Sequence, residues 1–204
     1  MRLNIFIASF LFLMSFTVMA IEEPEFISIE KKDAFEIREY KSKLIAQVLV
    51  SGTFDSASNK GFRLLADFIF GNNKTNEGSK KIEMTAPVIT REASEKIEMT
   101  APVISEETER GWFISFNMPK EYTKETLPVP NNSEVKIIEV PSEKFAVITF
   151  SGLVRDKKYV EMLNLLNEEM KKRNLEAKGP PVLARYNPPW TLPFLRRNEL
   201  MLRF

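Results

Sequence analysis

The chain has 204 residues, with 29 Lys+Arg against 28 Asp+Glu and neither His nor Cys. This composition excludes a zinc site of the usual nitrogen/sulfur type, an iron–sulfur cluster, a thiol nucleophile, a Ser-His-Asp triad and a haem ligated by His or Cys. Near-zero net charge argues against a dedicated nucleic-acid binder, and the length suits one compact domain.

Met1-Arg2 gives a positive start, residues 3–19 are almost wholly apolar, and Val18-Met19-Ala20 offers a cleavage site before the acidic stretch Ile21-Glu22-Glu23. That layout reads as a secretory signal peptide over 1–20, ahead of a domain over 21–204. The expectation is an exported protein, periplasmic or secreted, with no stable membrane insertion after cleavage. An uncleaved anchor is the alternative, because the run is at the short edge of a bilayer span.

Strands are predicted at 26–31, 35–40 and 44–51. A helix is predicted near 56–70, capped by Asp55 or Ser56 and ended by Gly71. Ala57, Gly61, Leu64, Leu65 and Phe68 form its core face by helical spacing. Lys60, Arg63 and Asp67 fall on another stripe, where Arg63 and Asp67 are spaced for an i,i+4 ion pair.

A short repeat follows. Lys81-Ile82-Glu83-Met84-Thr85-Ala86-Pro87-Val88-Ile89-Thr90 recurs fifteen residues on, from Lys96 to Ser105, with nine of ten positions identical. The alternation predicts strands at 82–89 and 97–104, joined as a hairpin through residues 91–95. Pro87 and Pro102 confine each to an edge or a bulge. The pair reads either as a simple edge hairpin or as a soft apolar wall carrying Met84 and Met99.

Further strands are predicted at 112–118, 135–140 and 144–151, with a loop over 120–133. A second helix near 156–173 has Tyr159, Leu163, Leu166 and Met170 as its core face. Strands at 182–187 and 198–203 flank a Pro-rich segment, in which Trp190 reads as a packing anchor. A fainter repeat lies at an offset of 100: Glu39–Gly52 aligns with Glu139–Gly152, each a strand, a turn and a strand ending in Ser-Gly before a helix. Two pseudo-repeats, about 26–105 and 112–204, therefore share one core. The fold class is α+β: a largely antiparallel curved sheet or barrel with two helices packed on it.

The doubled Lys-Ile-Glu-Met-Thr-Ala-Pro-Val block, the tract Ala184-Arg185-Tyr186-Asn187-Pro188-Pro189-Trp190 and the terminal Arg196-Arg197-Asn198-Glu199 together resemble the SOUL haem-binding family, over roughly residues 25–204. The resemblance implies duplicated β-α-β-β halves forming a distorted antiparallel barrel with two flanking helices. It also implies binding of haem or a related tetrapyrrole on an apolar surface beside the first helix. With no His in the chain, only binding without an imidazole ligand applies. The family's basic residue is kept at Lys60, while its helix methionines fall on Arg63 and Asp67 by ungapped alignment.

A tetrapyrrole is a flat apolar disc with two carboxylates, so it needs an apolar wall and cations at the rim. Lys60 and Arg63 share a helix face and suit two propionates, Leu64 and Phe68 suit the wall, and Met84 and Met99 suit polarizable contacts. Arg196 and Arg197 read as braces of the C-terminal segment, pairing with carboxylates such as Glu199. The expected role is a reversible haem or porphyrin carrier or buffer. Two alternatives stay open: an enzyme acting on a tetrapyrrole or small hydrophobic substrate, with Glu83 and Glu98 as acid–base pair, and a generic effector-binding module.

Overall fold

The computed structural model describes residues 22–92, 111–188 and 190–204. The leader, the second copy of the short repeat with its strand 97–104, and Met99 lie outside the described residues.

In chain order the elements are β1 (Phe26–Lys32), β2 (Phe35–Tyr40), β3 (Lys43–Ser51), α1 (Phe54–Ile69), β4 (Asn73–Lys74), β5 (Val88–Glu92) and β6 (Gly111–Asn117). Then come β7 (Val129–Pro130), β8 (Lys136–Val140), β9 (Glu143–Phe150), α2 (Asp156–Lys172), β10 (Val182–Arg185), a 3-10 turn (Pro193–Leu195) and β11 (Asn198–Arg203). Nine strands form one sheet in the order β1-β2-β9-β11-β10-β5-β6-β3-β8, with antiparallel pairing throughout; β4 and β7 form a separate small pair.

Connection lengths force this sheet to curl. β2 and β3 lie six places apart in the order, yet only Lys41 and Ser42 join them. In a flat sheet six places span roughly 29 Å, whereas the three Cα steps from Tyr40 to Lys43 reach about 11 Å at most. β8 and β9 are also six places apart and joined by Pro141 and Ser142 alone. The two turns meet where the Ser142 hydroxyl donates to Tyr40 O at 2.9 Å. The result is a half-barrel.

The offset-100 repeat appears as symmetry of the sheet. Exchanging β2 with β8, β3 with β9, β5 with β10 and β6 with β11 reverses the order of those eight strands and leaves it otherwise unchanged. The halves are β3-α1-β5-β6 and β9-α2-β10-β11, each a β-α-β-β unit. The strand preceding each unit pairs with the other half: β2 with β9, and β8 with β3.

Both helices pack on one face of the sheet, α1 on β3 and β6, α2 on β9 and β11. Leu44, Ala46, Val48 and Val50 of β3 alternate into the first core, against Leu65, Phe68 and Ile69 of α1. Gly61 lets α1 approach β6: a Cβ built there falls 2.4 Å from Ile114 Cγ1. Met162, Leu166 and Met170 of α2 close the second core over Ala146, Ile148 and Leu200. The opposite, concave face has a smaller core of Tyr40, Val147, Ala184 and Met201.

Local expectations differ from the structure at three places. The predicted strand 82–89 exists only from Val88, because residues 82–86 bond elsewhere. Ile82 N–H goes to Ile69 O at the end of α1 (2.7 Å), the Thr85 hydroxyl to Asn117 O, and Ala86 N–H to Glu22 O (2.9 Å). The cap of α1 is Thr53, not Asp55 or Ser56, and Asp55 lies in the first turn; the cap of α2 is Arg155, with Asp156 in its first turn, and at both sites the carboxylate favours the helix dipole. Trp190 is 82% exposed and so is not packed into the core of the described residues.

Candidate functional site

The solvent face of α1 carries Lys60 and Arg63, both exposed. The spacing that suggested an Arg63–Asp67 ion pair is not used. Asp67 accepts instead from Asn72 Nδ2 at 2.5 Å, just beyond the helix end. Neither Lys60 nor Arg63 has a carboxylate within ion-pair distance among the described residues.

Leu64 is half-buried against the first core, and Phe68 is 1% exposed within it. Phe68 therefore packs beneath the helix and presents no surface to a ligand. The exposed apolar groups are others. Phe62, 38% exposed, meets the buried Phe116 edge-on at 5.4 Å. Phe70, at the helix end and 59% exposed, has Lys81 Nζ 5.8 Å from its ring centre. Met84, 37% exposed, follows Ile82 by two residues in the segment tied to the end of α1. Met99 lies outside the described residues, so its meeting with Met84 is not described. The α1 face is convex and open; a cleft of about 380 Å³ elsewhere on the molecule is lined by no residue of α1.

The concave face holds a charged network that sequence reasoning missed. Arg38 on β2 takes Glu36 Oε2 at 2.6 and 2.8 Å and reaches Glu199 on β11 at 2.8 and 3.1 Å. The Tyr186 hydroxyl donates to Glu199 Oε2 at 2.6 Å, and Arg197 Nη2 lies 2.8 Å from Glu199 Oε1. Glu199 is fully buried. Burial pushes its carboxyl upward, but the hydrogen bonds and charge of Arg38, with Tyr186 and Arg197, outweigh burial and hold it below the usual carboxylate range. For Tyr186, burial and the neighbouring Glu199 charge push the phenol above its ordinary range.

The two C-terminal sequence motifs thus hold each other. Asn187 Oδ1 accepts the Arg197 N–H at 2.6 Å, and Asn198 Nδ2 donates to Gly152 O at 3.0 Å. Arg197 braces Glu199, as its spacing suggested, and also pairs with Glu23 at 3.0 Å. The alternation Glu36-Arg38-Tyr40 was the available signal. It marks one face of β2, but a polar face reads as solvent until the curl of the sheet is known.

The family model described as SOUL heme-binding protein matches residues 21–93 and 90–203. The chain belongs to this family. Its two matched regions agree with the two halves of the sheet. Comparison with curated proteins finds no match. Among solved structures, this SOUL domain is similar to the C-terminal domain of EcmrR, with a TM-score of 0.59 at 9% identity, covering 83% of this chain and 95% of that one. It is similar to a hydrolase from Listeria innocua, with a TM-score of 0.57 at 13% identity, over 85% and 93% of the two chains. An uncharacterized conserved protein from Listeria innocua gives 0.51 at 12% identity, over 81% and 90%. At such identities the likeness shows the fold alone.

The α1 surface fits a porphyrin in two respects. It has two cations one turn apart with no carboxylate at ion-pair distance among the described residues, for propionates, and exposed aromatic and thioether groups near the helix for the ring. It offers no imidazole or thiolate to an iron, since the chain contains none. Among the described residues no helix is long and apolar enough to cross a membrane.

Proposed function

We propose that this SOUL domain binds haem or a related tetrapyrrole reversibly against the open side of α1, as an exported carrier or buffer. The observation that carries this reading is the pair Lys60 and Arg63: exposed, one turn apart and without a carboxylate partner among the described residues. Two free cations on one helix face match two propionates. Leu64, one turn from Lys60, supplies apolar area with Phe70 and Met84, and Met99 is expected to add a polarizable contact.

Bound iron would contribute redox and ligand-binding chemistry, but the chain's own residues would hold the ring by contact area and charge. An open surface with exposed ion pairs supports only modest affinity. Micromolar dissociation, about −8 kcal/mol, suits reversible carriage. The start Met1-Arg2 and the apolar run to Met19 support export to the periplasm or medium.

The test compares haemin with metal-free protoporphyrin by quenching of tryptophan fluorescence. Dissociation constants within about threefold of each other are expected when no iron bond contributes. A preference of a hundredfold for haemin would overturn the imidazole-free mode.

A further inference from the structure

The cleft of about 380 Å³ lies at the end of the half-barrel where the β2–β3 turn sits, away from α1. One wall is the segment 22–25. It is fixed by Ala86 N–H to Glu22 O (2.9 Å), Lys120 N–H to Glu22 Oε1 (2.9 Å) and Lys41 to Glu25 (2.6 Å). Two lining side chains stand out.

The first is Lys43. In β3 the even-numbered residues 44–50 face the helices, so Lys43 faces the concave side with Ile45 and Gln47. Its Nζ stands 4.9 Å from the centre of the Tyr40 ring. Among the described residues no carboxylate lies within ion-pair distance of it. Glu143, its counterpart at the offset of 100, is committed to Arg203 at 2.7 Å. Lys41 and Lys120, also on the cleft, both pair with Glu25.

The second is Asn117, on the same face of β6 and opposite Ile45. It is 4% exposed, and its Oδ1 is buried without a hydrogen-bond partner among the described residues. A buried acceptor left unpaired is costly, and the residue that carries this one lines the cleft.

We propose that Lys43 is a nucleophilic amine site that captures small aldehydes as an imine, with Asn117 Oδ1 accepting a hydrogen bond from the carbinolamine hydroxyl. The site is separate from the α1 surface and does not depend on porphyrin binding. The Lys43 lone pair attacks the carbonyl carbon, forming the C–N bond while the C=O π pair moves to oxygen. A proton passes from nitrogen to that oxygen, giving the carbinolamine. Loss of water gives the imine, protonated from solvent; nothing is oxidised or reduced. Burial holds the Lys43 amine down to about 8, so a sizeable fraction is neutral near pH 7.5.

The test uses 4-formylbenzoate with sodium cyanoborohydride at pH 7.5, followed by peptide mass mapping of the whole protein. Lys43 is expected to take the label about tenfold faster than the exposed Lys157 and Lys171. The Lys43→Arg variant should lose this fast phase and keep the slow one. Asn117→Leu, if folded by circular dichroism, should slow labelling of Lys43 several-fold. Labelling of wild-type Lys43 no faster than that of Lys157 would overturn the site. An unchanged rate in Asn117→Leu would overturn the role of Asn117.

Discussion

Arg38 on β2 reaches across β9 to hold Glu199 on β11, with Nη1 2.8 Å from Oε2 and Nη2 3.1 Å from Oε1. Both side chains are buried, and the pair ties a strand from the start of the domain to its last. Removing Glu199 leaves the buried Arg38 paired with Glu36 but strips it of two charge-assisted hydrogen bonds and the Tyr186 hydroxyl of its acceptor, which costs about 2–3 kcal/mol. Glu199→Ala should lower stability by that amount in urea unfolding. Replacing Glu36, Arg38 and Glu199 together by Leu, Met and Leu should cost much less, because no charge is then stranded.

The same network sets the acid limit. Glu199 and Glu36 both titrate below their ordinary value of 4.5, because hydrogen bonds and charge from Arg38 overcome their burial. A carboxyl lowered in the folded state contributes stability that is fully present above the unfolded value and is lost as pH falls through the folded one. Stability should therefore fall steeply below about pH 4.5. Glu199→Gln should start less stable and lose less over that interval, measured as the urea midpoint against pH.

Lys43 has the opposite sign at the other end of the scale. Its folded value, about 8, lies below the ordinary 10.5, so the unfolded chain binds the extra proton between those two pH values. Stability should rise with pH across that window, and the cost of burying the ammonium should be constant below it. Lys43→Met should gain about 1–2 kcal/mol at pH 7 and show no such rise.

Gly61 is a helix-interior glycine that should resist improvement. Alanine normally gains about 1 kcal/mol at such a position. Here the added methyl falls 2.7 Å from Ile114 Cβ as well as 2.4 Å from Cγ1, and Ile114 is fully buried between α1 and its sheet. Gly61→Ala should therefore lose about 1–3 kcal/mol, read as a lower thermal midpoint.

The helices and most strands were legible because their periods report a single buried face. Leu65 and Phe68 in α1, and Leu166 and Met170 in α2, are core residues as spaced. The offset-100 repeat disclosed the pseudo-symmetry because both copies share the strand-turn-strand pattern that closes the half-barrel. The Lys81–Thr90 block misled because its alternation resembles a strand. Its backbone donors instead go to α1 and to the N-terminal segment, a long-range choice that local pattern does not encode. The Arg38–Glu199 network was illegible for a related reason. Only the curl of the sheet buries the second face of β2. Phe68 reads by spacing as core face and also suits a ligand wall; the helix turns it into the core and leaves Phe62 and Phe70 at the surface.

The central claim is that Lys60 and Arg63 hold the propionates of a tetrapyrrole on α1. An absorption titration with haemin tests it most directly, run on the wild type and on Lys60→Glu/Arg63→Glu. The wild type should show a red-shifted, sharpened Soret band saturating in the micromolar range, and the double variant should bind at least about tenfold more weakly. No spectral change in the wild type, or equal affinity in the two proteins, would contradict it.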